Sequence, residues 1–225
     1  MQNNKIIIEF TGLQWSWKTT ILSNIEKKIQ KKDMYIFKDT YLIKSRCLWY
    51  IHRVLILFLY PFQTLKIILI AIQLRKNIFI NSWILSYIFY KKYLTKNICE
   101  KFIIYDEFYL HTLFSMFINS QSENKKIIDK NILYFPNIYP IHFNTSYEKN
   151  IERTKKRNKI KYDKLPDLEK RKLLEKNWYL SEYVVKKYCK LTNKPYLEVD
   201  GDASIEEKVK QVMTHIEYIK KINWL

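Results

Sequence analysis

Short apolar runs alternate with longer polar-and-apolar stretches along the whole chain. The runs Lys5–Phe10, Met34–Phe37, Phe102–Tyr105, Tyr139–Phe143 and Tyr196–Val199 predict β-strands. The stretches Lys18–Lys31, Tyr147–Arg157, Asp167–Leu191 and Ser204–Ile219 predict helices between them. Strands alternating with helices are the signature of an α/β fold built on a parallel sheet. No internal repeat, low-complexity tract or Pro/Gly-rich linker divides the chain, and 225 residues suit one domain with one sizeable core.

Cys47 to Tyr90 departs from this alternation. Val54-Leu55-Ile56-Leu57-Phe58-Leu59-Tyr60-Pro61 and Ile67-Ile68-Leu69-Ile70-Ala71-Ile72 are dense enough to resemble membrane segments. Arg53, Lys66, Arg75 and Lys76 interrupt them, as does Pro61. No charge-free run reaches the roughly eighteen residues that a spanning helix needs. Helices packed over the sheet are the expected structure. Peripheral contact with a membrane, apolar face inward and lysines toward anionic headgroups, is the alternative, ahead of true spanning.

The first strand runs into Gly12-Leu13-Gln14-Trp15-Ser16-Trp17-Lys18-Thr19-Thr20, and a helix pattern follows at once. Strand, Gly-x-x-x-x-?-Lys-Thr, then helix is the context of a phosphate-binding P-loop. Such a loop wraps a polyphosphate with backbone N–H groups and aims a helix N-terminus at the anion. Trp17 stands where the motif has glycine, whose missing Cβ permits the turn and the close approach. An indole there is expected to strain the loop or to fill space meant for phosphate.

Glycine is otherwise scarce. The chain has 2 Gly and 6 Trp, where average usage of roughly 7% would give about sixteen glycines. Replacing Trp15 and Trp17 by Gly restores an unblemished motif. Trp and Gly codons each differ from UGA by one base, and some genetic codes read UGA as glycine. Several tryptophans are therefore expected to be native glycines misread in translation; the alternative is a degenerate, inactive loop.

The excess of 40 Lys+Arg over 22 Asp+Glu gives a formal charge of +18. This suits polyphosphate, anionic lipid or nucleic acid, or simply a lysine-coated surface. Lysine, isoleucine, asparagine and tyrosine are abundant together, as in AT-rich coding sequence. No nucleic-acid-binding motif accompanies the charge, and the aromatics occupy core-like positions rather than a base-stacking platform. Cys47, Cys99 and Cys189 match neither a zinc spacing nor a disulfide framework, and reduced thiols in a cytoplasmic protein are expected. Met1-Gln2-Asn3-Asn4 lacks the shape of a signal peptide. His52, His111, His142 and His215 show no metal spacing and are assigned structural or surface roles.

Further segments fall in the order of a known family. Phe102-Ile103-Ile104-Tyr105-Asp106-Glu107-Phe108 resembles a third strand ending in Asp-Arg-Tyr. Pro140-Ile141-His142-Phe143-Asn144-Thr145-Ser146-Tyr147-Glu148 is similar to a fourth strand entering a Ser-Pro-Glu helix start, with Ser146 a candidate N-cap. Glu152-Arg153-Thr154-Lys155-Lys156-Arg157 resembles the Glu-Arg…Lys-Arg that leads into a lid. Asn177-Trp178-Tyr179-Leu180 stands where Gly-Tyr-Leu is common, a third tryptophan at a glycine position. Val199-Asp200-Gly201-Asp202-Ala203-Ser204-Ile205-Glu206-Glu207 is similar to a closing strand, turn and capped helix. With the P-loop, these resemble the thymidylate-kinase-like branch of the P-loop nucleoside and nucleotide kinases. The resemblance covers most of the chain except Tyr41 to Glu100.

The resemblance implies a three-layer P-loop NTPase fold with a central five-stranded parallel sheet. A helical, apolar-rich insertion would occupy about 47–100 and a lid about 153–167. It implies ATP and Mg²⁺ as cofactors, bound by Gly12, Ser16, Trp17, Lys18, Thr19 and Thr20. Lys18 would reach the β- and γ-phosphates, and the Thr19 hydroxyl would bind Mg²⁺. Asp106 would hold Mg²⁺ through water or accept the acceptor's proton. Arg153 and Arg157, four apart on one helix face, would stack on adenine or clamp the transferring phosphoryl group; Lys155, Lys156 and Lys159 would assist.

Two departures bear on the acceptor. Glu107 replaces the arginine of Asp-Arg-Tyr and reverses the charge where an acceptor monophosphate would be handled. Asp39, in Phe37-Lys38-Asp39-Thr40, is a weak candidate for an acceptor hydroxyl or sugar. Together they favour a neutral or hydroxylated acceptor over dTMP. The expected protein is a cytoplasmic kinase acting on a small acceptor, with a homodimer left open and nucleic acid disfavoured. Its rivals are an inactive scaffold of the same fold and a membrane-surface protein using residues 47–90.

Overall fold

In the computed structural model the described residues are 5–12, 17–29, 34–37, 98–118, 125–134, 137–146, 148–150 and 167–224, with the single positions 62, 65, 69, 72, 91, 95 and 152. In chain order they form β1 (Ile6–Gly12), α1 (Lys18–Lys28), β2 (Met34–Phe37), β3 (Phe102–Tyr105), α2 (Tyr109–Ile118) and α3 (Lys125–Asn131). A 3-10 turn (Ile132–Tyr134), β4 (Ile138–Asn144), α4 (Asp167–Thr192), β5 (Leu197–Asp200) and α5 (Ile205–Trp224) follow. The five strands make one sheet in the order β2-β3-β1-β4-β5, and every pairing is parallel.

Side-chain alternation divides the core into two halves. Ile6, Ile8 and Phe10 of β1 face α1 and α5, with Ile21, Leu22, Ile25, Val209, Val212 and Ile216 closing that half. On the opposite face Ile103 and Tyr105 of β3 pack with Phe108 before α2, Leu113 of α2, and Val184 and Tyr188 of α4. Burying each such side chain contributes about 1.5–3 kcal/mol. Helices on both faces of a parallel sheet make three layers, as expected from the alternating pattern.

Three of the predicted strands shift by a residue or two at their ends, while β2 and β3 fall where expected. The first helix stops at Lys28, because Ile29 turns to extended backbone (φ −80°, ψ 129°). The last helix runs on to Trp224, beyond the predicted Ile219. The α2 and α3 helices were not predicted: Tyr109–Ile118 is apolar at seven of ten positions, and His111, Thr112 and Ser115 mark only a narrow polar face in so short a run. Ser204 and Glu207 cap α5 reciprocally, Glu207 N–H to Ser204 Oγ at 3.2 Å and Ser204 N–H to Glu207 Oε2 at 3.1 Å.

Most of the 47–100 insertion and of the 153–167 lid lies outside the described residues. Positions 62, 65, 69 and 72 are helical, and Phe62, Leu65, Leu69 and Ile72 are all exposed. On a single helix, positions spaced three, four and three apart would share one face. Among the described residues no helix is long and apolar enough to cross a membrane.

Candidate active site at the carboxyl edge of the sheet

β3 and β4 flank β1 on either side, so the loops leaving these strands gather at one edge of the sheet. In open α/β sheets that carboxyl edge is where ligands bind. Gly12 ends β1 with φ +120°, and a Cβ there would lie 2.5 Å from the Phe143 carbonyl oxygen. Only glycine fits this close crossing of β1 and β4.

Leu13 to Ser16 lie outside the described residues. Trp17 then enters α1 in left-handed backbone, φ 63° and ψ 10°. That is the glycine-favouring conformation expected at this position of a P-loop. The indole is 37% exposed. The peptide N–H groups of the first turn of α1 have no intrahelical acceptors, which makes this helix start an anion-binding element.

Lys18 and Thr19 meet the end of β3. The Lys18 ammonium is buried and donates to Gly12 O at 3.1 Å and to Glu107 Oε1 at 2.9 Å. Thr19 Oγ1 donates to Asp106 Oδ2 at 2.7 Å. A hydroxyl and a carboxylate so placed are hard oxygen donors, the set that Mg²⁺ takes beside substrate phosphates. The residues present therefore fit that ion. Thr20 lies on the same turn, half-buried, and its carbonyl accepts from Asn24.

Two groups missed in the sequence organise this corner. Glu9, on β1, is fully buried beneath α2. Its carboxylate accepts the backbone N–H groups of Phe108 (3.1 Å), Leu110 (3.0 Å) and His111 (2.7 Å). This fixes the start of α2, and with it Asp106 and Glu107 just before. Burial raises the Glu9 carboxyl to about 7, against the three N–H donors and Lys91, which lower it. The odd acidic residue in an otherwise apolar strand was the available signal.

His111 is the second: read in the sequence as structural or surface, it is buried in the structure against Lys18 and Glu107. Its Nδ1 lies 3.4 Å from Lys18 Nζ and its Nε2 lies 3.2 Å from Glu107 Oε1. Burial lowers its pKa to about 3, Glu107 opposing and Lys18 and Lys91 reinforcing. Burial pushes Glu107 up, but His111, Lys18 and Lys91 outweigh it and hold the carboxyl at about 2. Lys91 also donates to the Glu107 carbonyl at 2.6 Å, tying the end of the insertion to the site.

The other predicted residues are divided. Ser16, Asp39, Arg153 and Arg157 fall outside the described residues, as do Lys155, Lys156 and Lys159. Ser146 donates its own N–H to Asp202 Oδ2 at 3.3 Å and accepts from Asn150 N at its carbonyl. Trp178 Nε1 donates to Asn144 Oδ1 at 3.0 Å, at the end of β4. His142 is buried beside Thr11 Oγ1 at 3.1 Å, and burial lowers it to about 4. Among the described residues no cluster of His, Cys, Asp and Glu forms a metal-ligand set.

No protein-family model and no curated protein matches the chain. Solved structures do. Deoxyadenosine kinase from M. mycoides with products dCMP and a flexible dCDP superimposes with a TM-score of 0.58 at 17% identity. The same kinase with bound dCTP gives 0.54 at 18% identity, and with bound dATP 0.54 at 18%. The first two alignments cover 95% of this chain and the third 94%, and all cover 100% of the kinase. With the parallel five-stranded sheet and its two helical layers, this likeness gives the chain the fold of the P-loop kinases.

Proposed function

We propose that this protein is a P-loop kinase that transfers the γ-phosphoryl group of ATP, with Mg²⁺, to a hydroxyl of a nucleoside-like acceptor. One observation carries the reading: left-handed Trp17 leads α1 into a site where Thr19 touches Asp106 and buried Lys18 reaches Gly12 and Glu107. Phosphoryl transfer asks mainly for positioning and charge neutralisation, and these residues supply both. Lys18 and the N–H groups of α1 bind the phosphates. Thr19 and Asp106 hold Mg²⁺, which neutralises charge on the phosphate oxygens when bound. Arg153 and Arg157, outside the described residues, would stack on adenine or clamp the transferring phosphoryl group, as the family resemblance implies.

The acceptor is assigned by charge. Glu107 stands where the resembled family has an arginine for an acceptor monophosphate; with no cation of its own to offer there, and its carboxylate engaged by Lys18, the site favours a neutral nucleoside over dTMP. The solved structures compared above are of a deoxyadenosine kinase, and a deoxynucleoside is the first acceptor class to try.

Trp17 is part of the same reading. Its φ of 63° costs a residue with a Cβ about 1–2 kcal/mol and costs glycine nothing. This supports a native glycine at Trp17, misread from UGA, and Trp15, outside the described residues, is proposed with it on the sequence motif alone; mass spectrometry of the native peptide decides both. The functional test is calorimetric titration of Mg·ATP into the chain as given and into Trp15→Gly/Trp17→Gly, with labelled-phosphate transfer to deoxynucleosides and to dTMP. Binding and transfer to a deoxynucleoside by the double variant are expected. Absence of binding in both chains sinks the kinase reading and leaves a scaffold.

A second reading has its own observation, the exposed face of Phe62, Leu65, Leu69 and Ile72. Such a face in a chain of charge +18 suits peripheral contact with anionic lipid. Sedimentation with anionic liposomes, lost in Phe62→Ser/Leu69→Ser and indifferent to ATP, is its test.

A further inference from the structure

Lys18 is engaged before any phosphate arrives. Glu107 Oε1 lies 2.9 Å from its ammonium and 3.2 Å from His111 Nε2, while His111 Nδ1 lies 3.4 Å from the same ammonium. The three side chains close a triangle. The imidazole fits it neutral, with Nδ1 toward the Lys18 ammonium, Nε2 in contact with Glu107 Oε1 and the Gly12 carbonyl beside the ring. A buried ammonium held by a carboxylate cannot also neutralise a phosphate, so a bound anion must take Lys18 from Glu107. Losing Lys18 leaves Glu107 facing a polyanion.

We propose that Glu107 holds Lys18 in the place of a phosphate, and that polyphosphate binding moves Lys18 onto the anion while His111 takes up a proton and becomes the counter-ion of Glu107. The inference rests on the reading of Gly12–Thr20 as a phosphate loop. Its balance is simple: one proton passes from solvent to the His111 ring nitrogen that carries none, and no bond of the ligand changes. Gly12 O, relieved of Lys18, remains beside the ring as an acceptor.

The groups facing His111 set the direction. Glu107 faces it from the turn before α2, the Phe114 ring from its own helix, Lys18 from α1, Lys91 from the segment before β3 and the Gly12 carbonyl from β1. Glu9 takes its backbone N–H and so fixes the ring's origin. Burial, Lys18 and Lys91 hold the imidazole neutral. Moving Lys18 onto a polyanion removes one of these and brings negative charge near, which favours the imidazolium.

The test is calorimetric titration of sodium tripolyphosphate at pH 7 in two buffers of different ionisation enthalpy. It uses the full chain and the Trp15→Gly/Trp17→Gly chain, each with and without His111→Asn. The difference between parent and His111→Asn cancels protons carried by the ligand itself. The expected result is proton uptake approaching one per anion in the parent and lost in His111→Asn. Glu107→Gln should bind tripolyphosphate about tenfold more tightly and take up no proton. The imidazole ¹⁵N resonances of His111 should move from neutral to imidazolium values on adding tripolyphosphate, a measurement that needs no variant at this site. Binding with equal uptake in parent and His111→Asn, or a His111 that stays neutral, overturns the proposal and leaves the phosphate-loop reading standing. Failure of both chains to bind overturns both.

Discussion

The Thr19 hydroxyl, in the first turn of α1, donates a 2.7 Å hydrogen bond to Asp106 Oδ2 just past the end of β3. Positions far apart in sequence thereby join the helix start, where the proposed reading puts phosphate, to a carboxylate that the same reading gives to Mg²⁺. Asp106→Asn keeps the size and one acceptor but loses the charge. It should lower phosphoryl transfer by roughly 10²-fold or more, as loss of a transition-state charge partner does. Thermal melting should barely change. Equal transfer by Asp106→Asn and parent would remove Asp106 from the chemistry.

Trp17 carries a conformational cost that a smaller residue removes. Relief of left-handed strain is worth about 1–2 kcal/mol, and glycine's extra unfolded-state freedom returns roughly 0.5–1 of it. Trp17→Gly should therefore leave stability unchanged or raise it by up to about 1.5 kcal/mol. Trp17→Ala keeps the Cβ and should gain nothing. Urea denaturation of the two variants separates strain from the size of the indole. If Ala and Gly behave alike, strain is not the issue.

Gly12 is the opposite case. A methyl group at φ +120° would stand 2.5 Å from the backbone oxygen of Phe143, and the neighbour is sheet backbone that cannot turn aside. Gly12→Ala should cost about 3 kcal/mol or more, strain and overlap together. A shift of the urea midpoint smaller than that expected for about 1 kcal/mol would mean that β1 and β4 part more easily than their register implies.

How much of this was legible beforehand differs between fold and site. Strands such as Phe102–Tyr105 were readable because parallel strands buried on both faces are continuous apolar runs. Lys18, Thr19 and Asp106 were readable because a local motif and a strand end mark them. Glu9, His111 and Lys91 were not, since their meaning depends on which backbone lies opposite. Nothing local says that Glu9 of β1 sits under three N–H groups of α2. The Lys18–Glu107 contact was likewise missed: in the sequence Glu107 reads as a charge reversal facing an acceptor, whereas its partner is the loop lysine.

Glu9 gives a prediction of its own. Three backbone donors converge on its carboxylate inside the core, and removal of the acceptor strands them at about 1–3 kcal/mol each. Glu9→Leu should thus be far more destabilising than Glu9→Gln, which keeps one acceptor oxygen. Hydrogen exchange at Phe108, Leu110 and His111 should accelerate in both variants before the rest of α2. Unchanged exchange at those three amides would contradict the cradle.

The buried titrating groups set how stability responds to acid. Burial holds His111 at about 3 and His142 at about 4, below the ordinary 6.5. With depressed folded-state values, the unfolded chain binds protons first, so their contribution is whole above about 6.5 and lost as pH falls toward 3–4. The slope is about 1.4 kcal/mol per pH unit for each histidine. Glu9, raised by burial to about 7, acts in reverse: between 4.5 and 7 the folded chain holds a proton that the unfolded chain lacks, which favours folding as pH falls. Glu107, held at about 2, adds a further loss below about 4.5. Two histidines against one carboxyl leave a net loss from about 6.5 downward, steeper once pH drops below 4.5. Urea midpoints at pH 7, 5.5 and 4 should fall in that order, and His142→Gln should flatten the first interval. A midpoint that rises between pH 7 and 5.5 would mean that Glu9 alone titrates there and that the two imidazoles are not held neutral by burial.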